Sequence, residues 1–537
     1  MKKLLLSVFS LFLALAAMAQ GPQVTVEGGI IEGVDSSGVK IFRGVPYAAP
    51  PVGNLRWRNP QPVVAWQGVR SAKEFGANPI QKNAFGDMVF GTKKFSEDCL
   101  YLNIWTPTKN YNEKLPVLIY FNGGGFTSGS GSEPRYQGLT LARKGVIIVT
   151  VNYREGIFGG FASTLLSKEN CKNEGYKGSG NQGLMDQAAA INWVHRNIAA
   201  FGGDPSRITI CGESAGSSSV NAQQTSMMAR GSFSQLIGSS ASILSNTPMN
   251  TLADAEKAGD AFMKAAGCKT LAQLRSLPAE KINELYKPTG YPLFCIDGKF
   301  FTEQPSETYR KGTYAQVPAL VGNNNCEVPV MIFMGGKAPT LENLKPFIKQ
   351  RFKTEDVDKI LNLYNIHSDA DIVNRPGYEL GGDLFVAYST WKWLDALRQT
   401  SKAPVYRYLY CHPRPANNLP EDKEPGIAGG TSDKKSDAPV LPPNPGAVHS
   451  SDIEYSMGNL PTNHMFKWNE NDYQVSEIFQ QIYLNFIKTG NPNGLGLPQW
   501  DTINGKTAVP VMHIDLKTQQ MVTPQLEVRY REIDKYL

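Results

Sequence analysis

The chain has 537 residues, 41% hydrophobic and 19% charged, an ordinary globular composition with ample apolar material for a large core. Its formal net charge of +6 is small for this length and comes from interspersed Lys, Arg, Asp and Glu with no basic stripe, which argues against nucleic-acid binding. Seven cysteines, at 99, 171, 211, 268, 295, 326 and 411, are too few and too odd in number for a disulfide scaffold, and no Cys-x-x-Cys or His-x-x-x-His pair points to a metal.

The first element is an export signal. Met1-Lys2-Lys3 is a basic start, Leu4 to Met18 is an almost unbroken apolar run, and Ala17-Met18-Ala19 fits a small-x-small cleavage site. Residues 1–19 are therefore expected to be removed, and residues 20–537 to form one periplasmic or extracellular domain. No later segment is long and apolar enough to span a bilayer, so no stable membrane insertion is expected. Short β-like runs broken by turns fill Val24 to Phe42, and Pro46 to Pro62 is a Pro- and Gly-rich connector. Leu115 to Phe121 and Val146 to Val151 are continuous apolar, β-rich runs of the kind that form central parallel strands. Gln182 to Phe201 spaces Leu184, Ala188, Ile191, Val194 and Ile198 on a helical face, and Arg207 to Cys211 is another buried strand, with Cys211 a buried thiol. This alternation predicts an α/β fold with a mainly parallel sheet. Helices are expected over Leu252 to Ala266 and Leu271 to Tyr286, and strands over Ala315 to Gly322 and Pro404 to Tyr410. The segment from Pro413 to Pro445, crowded with Pro, Gly, Asn, Ser and charge, reads as a mobile surface excursion.

Gly212-Glu213-Ser214-Ala215-Gly216 follows one predicted strand and precedes a helix-compatible stretch. Gly-x-Ser-x-Gly alone is a weak pattern. Between a strand and a helix it becomes a nucleophile elbow, whose strained turn pushes the serine hydroxyl into a cleft. Asn122-Gly123-Gly124-Gly125-Phe126, after the strand ending at Phe121, is suited to present backbone N–H groups to a developing oxyanion. No Gly-Lys-Ser/Thr follows it, so a phosphate cradle is disfavoured.

These motifs carry a resemblance. The chain resembles the type B carboxylesterase and cholinesterase family of α/β-hydrolases along nearly its whole mature length, through Phe42 to Ala48, Pro50 to Trp57, Glu97 to Asn103, Asn181 to Gln187, Asn197 to Pro205, the Ser214 turn, Asn485 to Asn493 and Trp500. The resemblance implies a twisted, mostly parallel sheet flanked by helices, and a secreted serine esterase that uses no cofactor and acts on a small-molecule ester. It implies a Ser, Glu, His triad carried here by Ser214, Glu327 in Val321 to Glu327, and His449 in Gly446-Ala447-Val448-His449. It further implies backbone donors at Gly124, Gly125 and Ala215, and supporting residues at Glu213 and Ser240. Physical chemistry agrees: a serine hydroxyl needs a base, His is suited to that near neutral pH, and a buried carboxylate fixes the imidazole tautomer. Of the other histidines, His195 reads as solvated on its helix, and His367, His412, His464 and His513 have no motif around them.

The sequence departs from the family at several points. Val328 follows Glu327 and Ser450 follows His449 where the family has Gly, which bears on the acid's turn; Asp452 is near His449 in sequence, though adjacency alone does not give the required geometry. The upstream partner of Cys99 is missing, so that family disulfide is not expected. Ile80 to Ser96 lacks the Trp with which cholinesterases hold choline, which disfavours a choline-ester specialist; Phe85 and Phe90 are candidate gorge residues. Arg56 and Glu97 match a structural ion pair of the family. Two rivals share the scaffold: a non-catalytic adhesion-type relative, and an acyltransferase using the same triad.

Overall fold

The computed structural model describes residues 21–82, 85–427, 429–434 and 444–537. The export signal expected over residues 1–19 lies outside them. Eleven strands form the main sheet: β1 (Val34–Ser36), β2 (Val39–Pro46), β3 (Tyr101–Thr106), β4 (Leu115–Phe121), β5 (Ile147–Val151), β6 (Gly203–Glu213), β7 (Gln235–Ser239), β8 (Ala319–Asn324), β9 (Val405–Tyr410), β10 (Pro510–Ile514) and β11 (Gln519–Val522). Their spatial order is β11-β10-β9-β8-β7-β6-β4-β5-β3-β2-β1. The seven strands β5, β4, β6, β7, β8, β9 and β10 pair in parallel, and the strands beyond them at both edges are antiparallel.

The apolar runs become central strands because both of their faces are covered. In β4, Val117, Ile119 and Phe121 point into one core, with Leu184, Ile191 and Val194 of α1 (Gln182–Asn197) and Trp193 beside them. Leu118 and Tyr120 point into the other, with Phe479, Tyr483 and Phe486 from a later helix. Strand alternation thus serves two cores at once. The helices that frame the site are α2 (Ala215–Thr225), α3 (Arg375–Gly382), α4 (Tyr388–Thr400), α5 (Glu470–Thr489), whose Asn469–Asp472 capping box closes its N-terminus, and α6 (Pro524–Ile533). Between α3 and α4 the chain forms a π-helical turn over Asp383–Ala387.

Several expected boundaries move. The strand expected over Arg207 to Cys211 runs from Gly203 to Glu213. The helix expected over Leu271 to Tyr286 divides into Leu271–Ser276 and Ala279–Leu285. Pro278 forces this break: the residue before a proline avoids the helical region, and Leu277 is extended at ψ 141°. Part of the Pro413 to Pro445 excursion forms a short antiparallel pair, Lys423–Pro425 with Thr431–Asp433. Ile427 of this stretch lines the cleft described below and Gly430 lines a neighbouring cavity, while Ala428 and residues 435–443 lie outside the described set. Among the described residues no helix is long and apolar enough to cross a membrane.

Candidate active site

Ser214 sits at the C-terminal end of β6, where the chain reverses into α2. Its backbone is at φ 58°, ψ −122°, a region costly for a non-glycine residue, held by its N–H donating to the Ser239 carbonyl at 2.8 Å and its carbonyl accepting from Ser218 N at 3.0 Å. The flanking glycines are required by close approach. A Cβ at Gly216 would overlap the Phe121 carbonyl oxygen, and one at Gly212 would overlap the Gly216 backbone. The turn therefore packs strand against helix tightly enough to present the serine hydroxyl, as the sequence pattern predicts.

A continuous hydrogen-bond chain starts at that hydroxyl. Ser214 Oγ lies 3.0 Å from His449 Nε2, and His449 Nδ1 lies 2.7 Å from Glu327 Oε2. The other oxygen, Glu327 Oε1, accepts from Ser240 Oγ at 2.6 Å and from the Asn324 N–H at 2.7 Å, so the carboxylate is held from both sides. His449 N also donates to the Glu327 carbonyl at 2.8 Å, tying the two loops together through the backbone. All three side chains are buried or nearly so, with His449 5% and Glu327 2% exposed.

Two departures from the family pattern turn out differently. Val328 does not adopt a positive φ, so no glycine is needed after Glu327. Ser450 does, at φ 60°; its Oγ donates to the Ile427 carbonyl at 2.7 Å, which helps hold a serine in a conformation that favours glycine. Asp452 does not serve His449 directly; it accepts from Asn324 Nδ2 at 3.2 Å.

Electrostatics at the imidazole are dominated by carboxyls. Burial alone would lower the His449 pKa, but Glu213 and Glu327, with Asp452 behind them, outweigh it and raise it to about 9. Glu213 Oε1 is 3.3 Å from His449 Nε2. Burial pushes the Glu213 carboxyl up to about 8, against the pull of the imidazole.

The glycine loop after β4 closes the other side of Ser214. Gly124 is at φ 115° and Gly125 at φ 63°, and neither N–H donates to any partner among the described residues. Ala215 opens α2, so its N–H also lacks an intrahelical acceptor. All three residues line the cleft that holds Ser214. Asn122 steadies the loop, donating from Nδ2 to the Gly123 carbonyl at 2.9 Å, and Tyr153 OH donates to the Asn122 carbonyl at 2.9 Å. Among the described residues no group of three or more His, Cys, Asp or Glu could hold a metal ion.

The cleft has a volume of about 240 Å³, and Phe85, Met88, Phe126, Phe385, Val386 and Ile427 give it an apolar lining. This geometry goes with a wider likeness. The sequence matches the Carboxylesterase family over residues 20–532. The chain belongs to the carboxylesterase family. It is 36% identical over 407 residues to a fumonisin B1 esterase of Sphingopyxis macrogoltabida, covering 74% of this chain and 72% of that protein. It is 31% identical over 498 residues to a para-nitrobenzyl esterase of Bacillus subtilis (strain 168), covering 88% of this chain and 90% of the other. The solved structure of a PNB esterase superposes with a TM-score of 0.75 at 27% identity, over 95% of this chain and 99% of that one. The protein is a carboxylesterase with the α/β-hydrolase fold.

The sequence-predicted residues converge in this esterase. Ser214, His449, Glu213, Gly124, Gly125 and Ala215 border the cleft, and Glu327 and Ser240 stand behind the imidazole. Of the two gorge candidates, Phe85 lines the cleft, whereas Phe90 packs against Phe95 with ring centroids 6.0 Å apart. Arg56 and Glu97 pair as expected, Nε to Oε1 at 2.6 Å, and neither lines the cleft. His195 is half-buried rather than solvated, its Nδ1 3.1 Å from the Pro205 carbonyl oxygen. Sequence reasoning missed Arg135, Phe385 and Ile427. Phe385 projects from the π-helical turn and meets the His449 ring edge-on at 4.8 Å. A π-turn inside a helix leaves no regular periodicity to read, although such turns recur at functional sites.

Proposed function

We propose that this carboxylesterase is an exported serine hydrolase in which Ser214 is the nucleophile, His449 the general base and acid, and Glu327 the residue that orients the imidazole. The observation that carries the reading is the Ser214–His449–Glu327 hydrogen-bond chain, with its 3.0 Å and 2.7 Å links. Neutral His449 takes the Ser214 proton at Nε2 as Oγ attacks the ester carbonyl. The carbonyl oxygen becomes an oxyanion, which accepts from the N–H groups of Gly124, Gly125 and Ala215; losing one such donor typically costs about 3 kcal/mol of barrier. Glu327, fixed by Ser240 and Asn324, stabilises the imidazolium without taking its proton. The imidazolium then protonates the departing alcohol, and a water activated by the same nitrogen releases the acid.

Glu213 has a supporting part: its carboxyl faces the base from the side opposite Glu327 and biases the imidazole toward its charged form. Export is supported by the basic start, apolar run and small-residue cleavage site of residues 1–19.

The test is Ser214→Ala. Hydrolysis of p-nitrophenyl acetate by the purified variant is expected to fall by about 10⁴-fold or more, with the melting temperature little changed. Turnover at the parent rate would remove Ser214 from the mechanism. For export, mass spectrometry of the protein recovered from outside the cytoplasm is expected to give Gln20 as the N-terminal residue.

A further inference from the structure

A charged side chain stands in the wall of this apolar cleft. Arg135, only 5% exposed, projects from the short helical turn Pro134–Tyr136. Its guanidinium has five N–H donors. Nε and Nη2 donate to Glu133 Oε2 at 3.3 and 2.9 Å, Nη2 also donates to Tyr136 OH at 3.4 Å, and Nη1 donates to Ser450 Oγ at 3.2 Å. These contacts use four hydrogens, and the second hydrogen on Nη1 has no acceptor among the described residues. Nη1 is the atom tied to Ser450, the residue after His449, and Arg135, Ser450 and His449 all border the cleft.

Among the described residues, Arg135 is also the one shared by the lining of the cleft and that of an adjoining cavity of about 410 Å³, walled by Val89, Leu419, Thr431, Asn463 and His464. A substrate group reaching past Ser214 toward that space meets the guanidinium. On one side its charge is met by Glu133, whose Oε2 lies 2.9 Å from Nη2, and Glu454 adds to that field. Burial pushes the Glu133 carboxyl up against the pull of Arg135, and it pushes the Glu213 carboxyl up as well. Glu454 is held ionised but is engaged by Arg414, at 2.7 and 2.9 Å. The guanidinium is thus paired through Nε and Nη2, while one Nη1 donor stays open in a buried residue that lines the cleft, and a buried charge is best held when every donor has an acceptor.

We propose that Arg135 reads a carboxylate on the substrate, so that the preferred esters carry a free carboxylate a few bonds from the scissile carbonyl, as in the half-ester of a dicarboxylic acid. This rests on the reading of the Ser214 cleft as the active site. The carboxylate accepts the free Nη1 hydrogen, a charge-assisted bond in a water-poor cleft. The anion is already bound in the ground state, so the preference belongs mainly to KM.

The experiment uses the purified full-length enzyme and matched ester pairs of similar shape. Mono-p-nitrophenyl succinate against p-nitrophenyl pentanoate places the charge on the acyl half, and acetoxyacetate against propyl acetate places it on the alcohol half. In at least one pair the anionic ester is expected to have the higher kcat/KM, by about ten- to a hundred-fold, through KM. In Arg135→Gln the ratio within that pair is expected to collapse toward one whatever the variant's absolute rate, and in Arg135→Lys to be partly retained. A wild-type enzyme that prefers the neutral member of both pairs overturns the proposal without any variant being made. So does an Arg135→Gln protein that loses both members equally, since that is the signature of a loop scaffold. If the neutral esters are cleaved in a Ser214-dependent way without a charge preference, Arg135 alone falls; if no ester is cleaved, the catalytic reading falls with it.

Discussion

At the scale of single residues, the charge on His449 decides when the site can work. The imidazole must be neutral to accept the Ser214 proton, so kcat/KM rises with pH through the pKa of His449. That pKa is raised to about 9 because Glu213, Glu327 and Asp452 together outweigh burial. The acidic limb of the profile is therefore expected well on the alkaline side of 6.5, and the esterase to be most active in mildly alkaline solution. Glu213→Gln removes a carboxyl 3.3 Å from Nε2 and destabilises the imidazolium. It is expected to move the limb to lower pH, read from kcat/KM for a nitrophenyl ester across the range. A limb moving to higher pH would contradict this assignment of the field. Ser214 was legible from its own Gly-x-Ser-x-Gly turn, while Glu327 and His449 were legible through the resemblance of Val321 to Glu327 and of Gly446-Ala447-Val448-His449 to the family's segments. Arg135 was not. Nothing in Glu133-Pro134-Arg135-Tyr136 shows that a loop about three hundred residues later, at Ser450, will fold over its guanidinium.

At the scale of elements, the elbow is a packing problem as much as a chemical one. α2 is pressed against the end of β4, so Gly216→Ala sets a methyl into the Phe121 carbonyl. The strain is expected to cost about 1–3 kcal/mol of stability, read from urea unfolding, and to lower activity by displacing Ser214. A second junction joins β9, α5 and β10. His412, just past β9, sits between Asp515, 2.8 Å from Nδ1, and Asp472 of α5, 3.2 Å from Nε2. Burial opposes its charge, but the two carboxylates raise its pKa above the ordinary 6.5. The stabilisation is complete below about 6.5 and fades as pH rises through the raised folded-state value. The melting temperature is therefore expected to fall as pH rises through that window, and His412→Gln to flatten the fall. At this scale the sequence shows its strands clearly, since β-branched runs at Leu115 to Phe121 and Ile147 to Val151 survive any context. It hides the π-turn, which is an insertion into a helix and is set by what α3 and α4 pack against.

At the scale of the whole molecule, the architecture is held by packing and not by covalent cross-links. All seven cysteines are free, and five of them are buried. Reducing agent is accordingly expected to leave the melting temperature unchanged. A thiol reagent is expected to modify Cys171, the exposed one, first in the native protein, and all seven in denaturant. A drop in melting temperature on reduction would reveal a bridge the structure lacks. Cys99 shows how far sequence reaches here: the missing upstream partner correctly removes one family disulfide, because pairing needs two cysteines. The fold class followed from strand and helix alternation. The strand order did not, since β4 lies between β5 and β6 through crossovers that no local pattern encodes.

The sheet order has a consequence for how the enzyme comes into being. His449 meets Ser214 across 235 positions of chain and Glu327 across 122, and the strands that carry the serine and the acid, β6 and β8, each pair in parallel with β7 between them, so the contacts close long loops. Helices and neighbouring strands can settle early, while the proton path exists only once three distant segments have docked. Recovery of turnover after dilution from denaturant is thus a clock for the last event of folding, and it is expected to lag behind the return of far-ultraviolet dichroism.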